Sequence, residues 1–533
     1  MDRRTLLAAS TGMAAAAAWA VGCDTGTGNA APSRGTSASG GPGSAVGTTS
    51  GTPGGRAGKP TATDWNALGK GLQGRLIRPG DADYATARQL YNTRFDKLRP
   101  AAVAYIANTA DIAECLAFAR RHGARVAIRN GGHSYAGWSS GDGRLVIDVS
   151  SLKTVRTGSG SATIGAGAKL IDVYTQLGAH GVTIPAGSCP TVGVSGLTLG
   201  GGHGVVSRAY GLTSDSLTGA RIVTADGKTL DVSKDRESDL FWALRGAGNG
   251  NFGVVTELRF RTHKAAPGVT AYLTWPWSKA AAVLRAWQEW APAQPDEIWS
   301  SLHVSATPGR TPRISVACFS LGTHGALQNA VDRLADRAGA PASSASLRRR
   351  TYLDAMRMYA GCSSYSTSQS HLPGKTPGRT PNGVLQRETY AARSDFFDRS
   401  LSTAGIRALL DQPERYGRRT GGGGAVSIAL TALGGAVNRV APLATAFVHR
   451  RSRFLAQYMA SWPAGGSGSV QTAWLDGAHT AMRRYASGAA YQNYTDAGLK
   501  DWRKAYYGDA ADRLTKLKKQ YDPNRLFDFP QAL

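Results

Sequence analysis

Apolar residues begin to recur with the periods of folded protein at Trp65, and before it they do not. Residues 101–106 form a short apolar run, AAVAYI, that predicts a buried strand. Ile112, Cys115, Leu116 and Ala119 then return at helical spacing until Gly123 supplies a stop. Further strands are predicted at 126–128, 145–149, 163–164 and 220–223, with a helix over 170–181. Beyond residue 264 strands at 315–319 and 426–430 alternate with amphipathic helices over 327–338 and 396–410, and the four glycines 421–424 read as a loop or bulge. There is no internal repeat. At 533 residues the chain exceeds what one core supports, and the pattern predicts an α+β protein whose bodies span 64–265 and 266–480, followed by a C-terminal segment, 481–533.

The first residues speak to location. Asp2-Arg3-Arg4-Thr5-Leu6-Leu7 resembles a twin-arginine export signal, and the alanine-rich run through Val21 is too short and too weakly apolar to be a good membrane span. Ala20-Val21-Gly22-Cys23 resembles a lipoprotein processing box in which Cys23 is acylated, although Ala20 stands where a larger aliphatic residue is usual. The alternative is a cleaved secretory signal, 1–23, whose cysteine is incidental. Either way the expected location is extracellular or anchored to the cell envelope, with membrane contact only through a lipid on Cys23. Residues 24–63 are Gly, Ser, Thr, Ala and Pro with almost no large apolar side chain, the composition of a disordered tether. A net charge of +26 raises nucleic-acid binding, but no sustained Lys/Arg run or nucleic-acid motif accompanies it. The charge reads as a solvated, arginine-rich surface suited to anionic envelope polymers.

Two segments carry the chemistry. IRNGGHSYAG sets His133, and PAGSCPTVGVSGLTLGGGHG sets Cys189, in glycine-rich backbone that builds a poor core. Glycines let backbone approach a ligand and turn N–H groups toward anionic oxygens, while imidazole and thiolate suit bonding to an electrophilic carbon. Together they point to a tethered redox cofactor. Of the cysteines after Cys23, Cys115 lies on the apolar helix face, and Cys115, Cys189, Cys318 and Cys362 form neither metal-type pairs nor a disulfide framework. A zinc site from His133, His180, His203 and Cys189 lacks the usual short ligand spacing, so no metal is expected. No GxGxxG opens a helix, and there is no Walker lysine.

Five separated segments, in order, resemble one family. They are Arg129-Asn130-Gly131-Gly132-His133-Ser134; Gly187-Ser188-Cys189-Pro190-Thr191-Val192-Gly193; the run Gly200-Gly201-Gly202-His203-Gly204; Leu240-Phe241-Trp242 through Asn251-Phe252-Gly253-Val254-Val255; and Tyr491-Gln492-Asn493-Tyr494 with Tyr521-Asp522-Pro523-Asn524. From about residue 76 to the end the chain resembles the berberine-bridge-enzyme-like FAD-linked oxidases of the vanillyl-alcohol-oxidase superfamily. The resemblance implies a two-subdomain FAD-binding domain, a substrate domain with an antiparallel sheet covered by helices, and a C-terminal segment that returns to the flavin. It also implies bicovalent FAD, with His133 on the 8α-methyl carbon and Cys189 on C6, an attachment that raises the flavin potential. Backbone from Asn130 to Ser134 is expected at the pyrophosphate, beside Arg129; Asn130 replaces the serine or glycine common there. Gly193, Gly196, Gly200, Gly201 and Gly204 are expected to let backbone lie against the flavin and ribityl chain, with Gly253 and Val255 flanking the dinucleotide. Tyr491 is expected as the base that deprotonates the substrate hydroxyl, Asn493 as a flavin contact, and Tyr494 as an orienting or packing residue. Val192 occupies a position that gates oxygen, and valine there resembles the oxidases. Tyr135 and Trp138 are candidates for the cleft wall.

The implied activity is an oxidase that removes hydride from a hydroxyl-bearing carbon of a sugar or oligosaccharide and reduces O2 to H2O2. The alternatives are a tailoring oxidase of a polyketide, phenol or alkaloid, and a basic envelope-binding protein that keeps the flavin fold without turnover.

Overall fold

The computed structural model describes residues 59–533; the export and lipidation readings of residues 1–23, and the tether before residue 59, lie outside the described residues. The first helix, Ala62–Gly71, starts inside the last residues of the expected tether. Thr61 is its N-cap, accepting the Asp64 N–H while the Asp64 carboxylate takes the Thr61 N–H at 2.7 Å, a capping box that fixes the start.

The N-terminal half holds two larger sheets that share a core, and a two-stranded ribbon, Val182–Thr183 with His263–Lys264. A four-stranded sheet runs in the order Arg75–Ile77, Ala102–Tyr105, Leu145–Asp148, Val126–Arg129, its last three strands parallel. All residues of Ala102–Tyr105 and Leu145–Asp148 are buried, as expected of parallel strands covered on both faces. The crossover helix Thr109–His122 buries Ile112, Cys115 and Leu116 and ends at Gly123 with φ 61°, a left-handed cap for which glycine carries little steric cost. Burial pushes the Cys115 thiol up to about 12, in keeping with a packing role. A five-stranded antiparallel sheet follows, in the order Val155–Gly158, Ser161–Gly165, Val254–Arg261, Leu217–Val223, Thr229–Ser233.

The second body is a seven-stranded antiparallel sheet, in the order Ser344–Arg350, Gly268–Trp275, Arg313–Ser320, Ile298–Ala306, Ala425–Ala432, Phe454–Ser461, Tyr390–Phe397. One face is apolar at every second residue, with Leu302, Val304, Val316, Ile428 and Leu430 among them, and packs with residues of the helices Ala280–Trp290, His324–Arg337, Thr403–Gly417 and Ser469–Arg483. The intervening positions form the opposite face and include Tyr272, Trp299, Ser301, His303, Ser315, Ser427 and Gln457. The expected helix over 396–410 needs correction. Phe396 and Phe397 end a strand, and the helix begins at Thr403 after Ser402 caps the Gly405 N–H at 3.2 Å. A spacing that suited a helix was produced by a strand end abutting a helix start.

The C-terminal segment closes back on the first half. Helices Trp502–Tyr507 and Ala511–Tyr521 contribute Tyr506, Tyr507, Leu514 and Leu517 to the same core as the two N-terminal sheets. Buried Lys518 locks the return, donating to the Asn251 and Phe527 carbonyls at 2.8 Å each and to the Asp522 carboxylate at 2.6 Å.

Candidate functional site

The parallel strand Val126–Arg129 delivers the chain into the His133 loop. Arg129, buried at the root of the loop, pairs with Asp148 in the interior. Asn130 ties the loop down: its Nδ2 donates to the Ala166 carbonyl and to Ser195 Oγ at 3.2 Å, and its Oδ1 accepts from Lys169 Nζ at 2.6 Å. Gly131 lies directly on the loop that follows Cys189, where a Cβ would stand 2.6 Å from Gly193 N and from the Thr191 carbonyl. Gly193 in turn is pressed against the Asn130 amide. The two loops named by the sequence are thus stacked backbone on backbone.

His133 and Cys189 both line one cavity of about 310 Å3. The imidazole is stacked on Tyr91, ring centroids 4.0 Å apart and 17° between planes, and its Nε2 meets Thr191 Oγ1 at 2.8 Å. Burial, helped by the Lys169 charge, holds its pKa down to about 3. The ring is therefore neutral at physiological pH, with a lone pair that a nucleophile requires. Cys189, 9% exposed, shares a buried cluster with Tyr91, Cys362, Leu372, Leu385 and Tyr390.

The rest of the lining comes from every part of the fold. Arg129 to Ser134, Val192, Gly193, Gly196, Gly204, Gly253, Val255, Tyr491, Asn493 and Tyr494 all border the cavity, as do Tyr135 and Trp138. A Cβ on Gly196 would meet nothing within 4 Å. Among the described residues no group accepts a hydrogen bond from the backbone N–H of Gly131, Gly132, His133 or Ser134, and such a row of donors suits a phosphate. Gly200 and Gly201 are placed differently from the expectation and do not line the cavity. A Cβ on Gly200 would strike Asn493 and Asn249, and one on Gly201 would strike Phe447, so both are small to let protein pack on protein.

The two tyrosines occupy unlike settings. The Tyr491 hydroxyl accepts from the Gly202 N–H and from Asn493 Nδ2, both at 2.9 Å. Burial raises its pKa, opposed by those two donors. Tyr494 meets His203 Nε2 at 2.9 Å and stacks on Tyr135, centroids 5.3 Å apart and 6° between planes. Burial holds His203 down to about 4; a neutral ring that accepts the Tyr494 proton on Nε2 carries its own on Nδ1, a buried atom without a partner among the described residues. Gln457 Nε2 donates to the Tyr135 hydroxyl at 2.8 Å, and Trp299 and Tyr390 complete the wall on the side of the seven-stranded sheet.

The family described as FAD binding domain matches residues 100–233, and that described as berberine and berberine like matches 490–533. The chain is 32% identical over 468 residues to the uncharacterized FAD-linked oxidoreductase YgaK of Bacillus subtilis (strain 168), covering 87% of this chain and 97% of that one. The chain belongs to the berberine-like FAD-linked oxidoreductases. It is also 30% identical to the chitooligosaccharide oxidase of Gibberella zeae, over 83% of this chain and 89% of that one. The solved xylooligosaccharide oxidase from Myceliophthora thermophila C1 in complex with xylobiose superimposes with a TM-score of 0.76 at 29% identity, covering 88% of this chain and 98% of that one. The cofactor of this FAD-linked oxidoreductase is FAD, and the open backbone donors, the space over Gly196 and the neutral imidazole fit it.

Thr191, Lys169 and Gln457 have no site role in the sequence, and His203 enters there only as a rejected zinc ligand. Thr191 lies in the Cys189 motif and His203 in the Gly200–Gly204 run, where glycine and cysteine carry the stronger signal. Lys169 and Gln457 carry no local signal, since their partners lie 39 and 322 residues away. The loop stacking is testable. Gly131→Ala must separate the His133 and Cys189 loops, and purified protein is expected to show a markedly lower ratio of flavin to protein absorbance.

Proposed function

We propose that this chain is an oxidase of sugars or oligosaccharides whose FAD is held by two covalent bonds, one to His133 and one to Cys189. The single observation that carries the reading is that both nucleophiles and the Tyr491 to Tyr494 segment line one cavity, walled on one side by Trp299 from the polar and aromatic face of the seven-stranded sheet. Across its strands that face bears hydroxyl, amide, imidazole, guanidinium and aromatic side chains and no carboxylate, a surface suited to sugar hydroxyls and ring faces. An exported enzyme, as residues 1–23 imply, meets such glycans outside the cell.

FAD held by His133 and Cys189 would supply the acceptor for hydride from the carbinol carbon, with O2 as the final oxidant and H2O2 as its product. Tyr491 takes the hydroxyl proton of the substrate. Its phenolate is stabilised by the Gly202 N–H and the Asn493 amide, which hold the oxygen in place. Tyr494, held by His203 and flat against Tyr135, orients the substrate hydroxyl toward that oxygen. Asn493, bonded to the Leu197 carbonyl at 2.9 Å and to Asn249 at 2.7 Å, keeps the Tyr491 segment in register with the helix Val194–Leu199. Val192, partly buried at the cavity wall, leaves room there for oxygen.

Acid precipitation tests the attachment. Wild-type protein and each single variant, His133→Ala and Cys189→Ala, should carry yellow colour into the pellet, and the double variant should release it to the supernatant. Peroxide release tests the activity: turnover on a panel of neutral oligosaccharides is expected, while turnover confined to phenols or polyketides, or none on any alcohol, would replace the sugar reading. For the base, burial keeps the Tyr491 phenol above its ordinary pKa, so the ionised fraction is small at neutral pH and grows as pH rises. Stopped-flow bleaching of the flavin by substrate should therefore accelerate from neutral to alkaline pH. Tyr491→Phe should lower the rate about a hundredfold or more and flatten that profile.

A further inference from the structure

A second cavity, of about 40 Å3, shares only Arg129, Asn130, Gly131 and Gly132 with the flavin cavity. Three cationic side chains border it, Arg129, Lys169 and Arg379, against one carboxylate, Asp148. That carboxylate is already engaged by Arg129 and by the Ser150 N–H at 2.8 Å. Arg129 is 4% exposed, and its Nη1 is buried with no hydrogen-bond acceptor among the described residues. Lys169, also 4% exposed, donates to two uncharged oxygens, Asn130 Oδ1 at 2.6 Å and Ser150 Oγ at 3.1 Å. Arg379 likewise donates to uncharged oxygens, the Pro373 carbonyl at 3.0 Å and Gln89 Oε1 at 2.9 Å. The next acid, Asp172, is taken by His371 at 3.0 Å.

We propose that this cavity binds a small inorganic anion, chloride in ordinary media, between Arg129, Lys169 and Arg379. Three cations facing one shared carboxylate in a low-dielectric setting leave uncompensated positive charge, which is costly unless an opposite charge joins them. A buried guanidinium N–H without an acceptor is the kind of group that an ion or water satisfies. Burial pulls Lys169 down to about 8 and Arg379 to about 10, which is what cations short of negative partners do, whereas Arg129, buried but paired with Asp148, is held above its ordinary value. The space exceeds the roughly 10–15 Å3 that one water-sized sphere requires, so a monatomic anion enters without rearrangement. Its place in the fold gives it consequence. Arg379 belongs to the segment after Leu372, whereas Lys169 braces Asn130 at the root of the His133 loop, so the anion joins that segment to the flavin loop.

Thermal denaturation of the purified holoprotein in sodium chloride against sodium gluconate at equal ionic strength tests this. A saturable rise of about 2 °C in Tm specific to chloride is expected, and bromide-soaked crystals should give an anomalous peak between the three side chains. Arg379→Gln should abolish the chloride-specific rise while its flavin absorbance and turnover stay at the parent level. Equal Tm in the two salts, an unchanged chloride response in Arg379→Gln, or the lack of a bromide peak would each overturn the proposal.

Discussion

Everything at the centre of this molecule depends on two loops touching through bare backbone. Gly131 lies on Gly193 and Thr191 at distances that admit no side chain. That contact brings His133 and Cys189, 56 residues apart in the chain, to one cavity, and Asn130 fastens it from beneath through Lys169, Ala166 and Ser195. A flexible pair of glycine-rich loops would scatter the two nucleophiles. The amide of Asn130 removes that freedom, because its oxygen and nitrogen both bond to fixed partners. Thr191 then sets the His133 ring, and burial keeps it unprotonated.

The two domains are joined by arginines that composition alone assigned to the solvent. Arg208, 1% exposed, donates to carbonyls of Ile298 at 2.8 Å and Pro292 at 3.2 Å and also bonds those of Leu433 and Gln294. Arg450, 2% exposed, grips Asp215 with two nitrogens at 2.7 and 2.8 Å. A guanidinium has five donors in a fixed fork and can knit several chain segments at once where a lysine could not. Part of the excess positive charge is thus interior structure, holding the seven-stranded sheet over the flavin half.

The division of labour across that sheet follows from period two. One face is apolar and covered by four helices; the other is polar and aromatic and contributes Trp299 to the cavity wall. Site residues come from loops on the flavin side, from the sheet opposite and from the returning C-terminal segment. The cavity therefore exists only when all three are assembled.

By itself the sequence determined the parts whose cause is local. Period and stop signals placed the helix Thr109–His122 and the strands around Ile128, Val146 and Val316, because burial rhythm and a glycine cap act within a few residues. Glycine around a nucleophile marked the His133 and Cys189 loops for the same reason. The tertiary structure alone decided what those loops touch. It turned Arg129 inward to Asp148, gave Gly200 and Gly201 to protein packing, paired Tyr494 with His203, and brought Gln457 to Tyr135 across 322 residues. It also parted the pattern over 396–410 into a strand end and a helix start. Hydrogen bonds between distant segments leave no periodic trace in a chain, since their geometry is set by how sheets and loops pack rather than by neighbours in sequence.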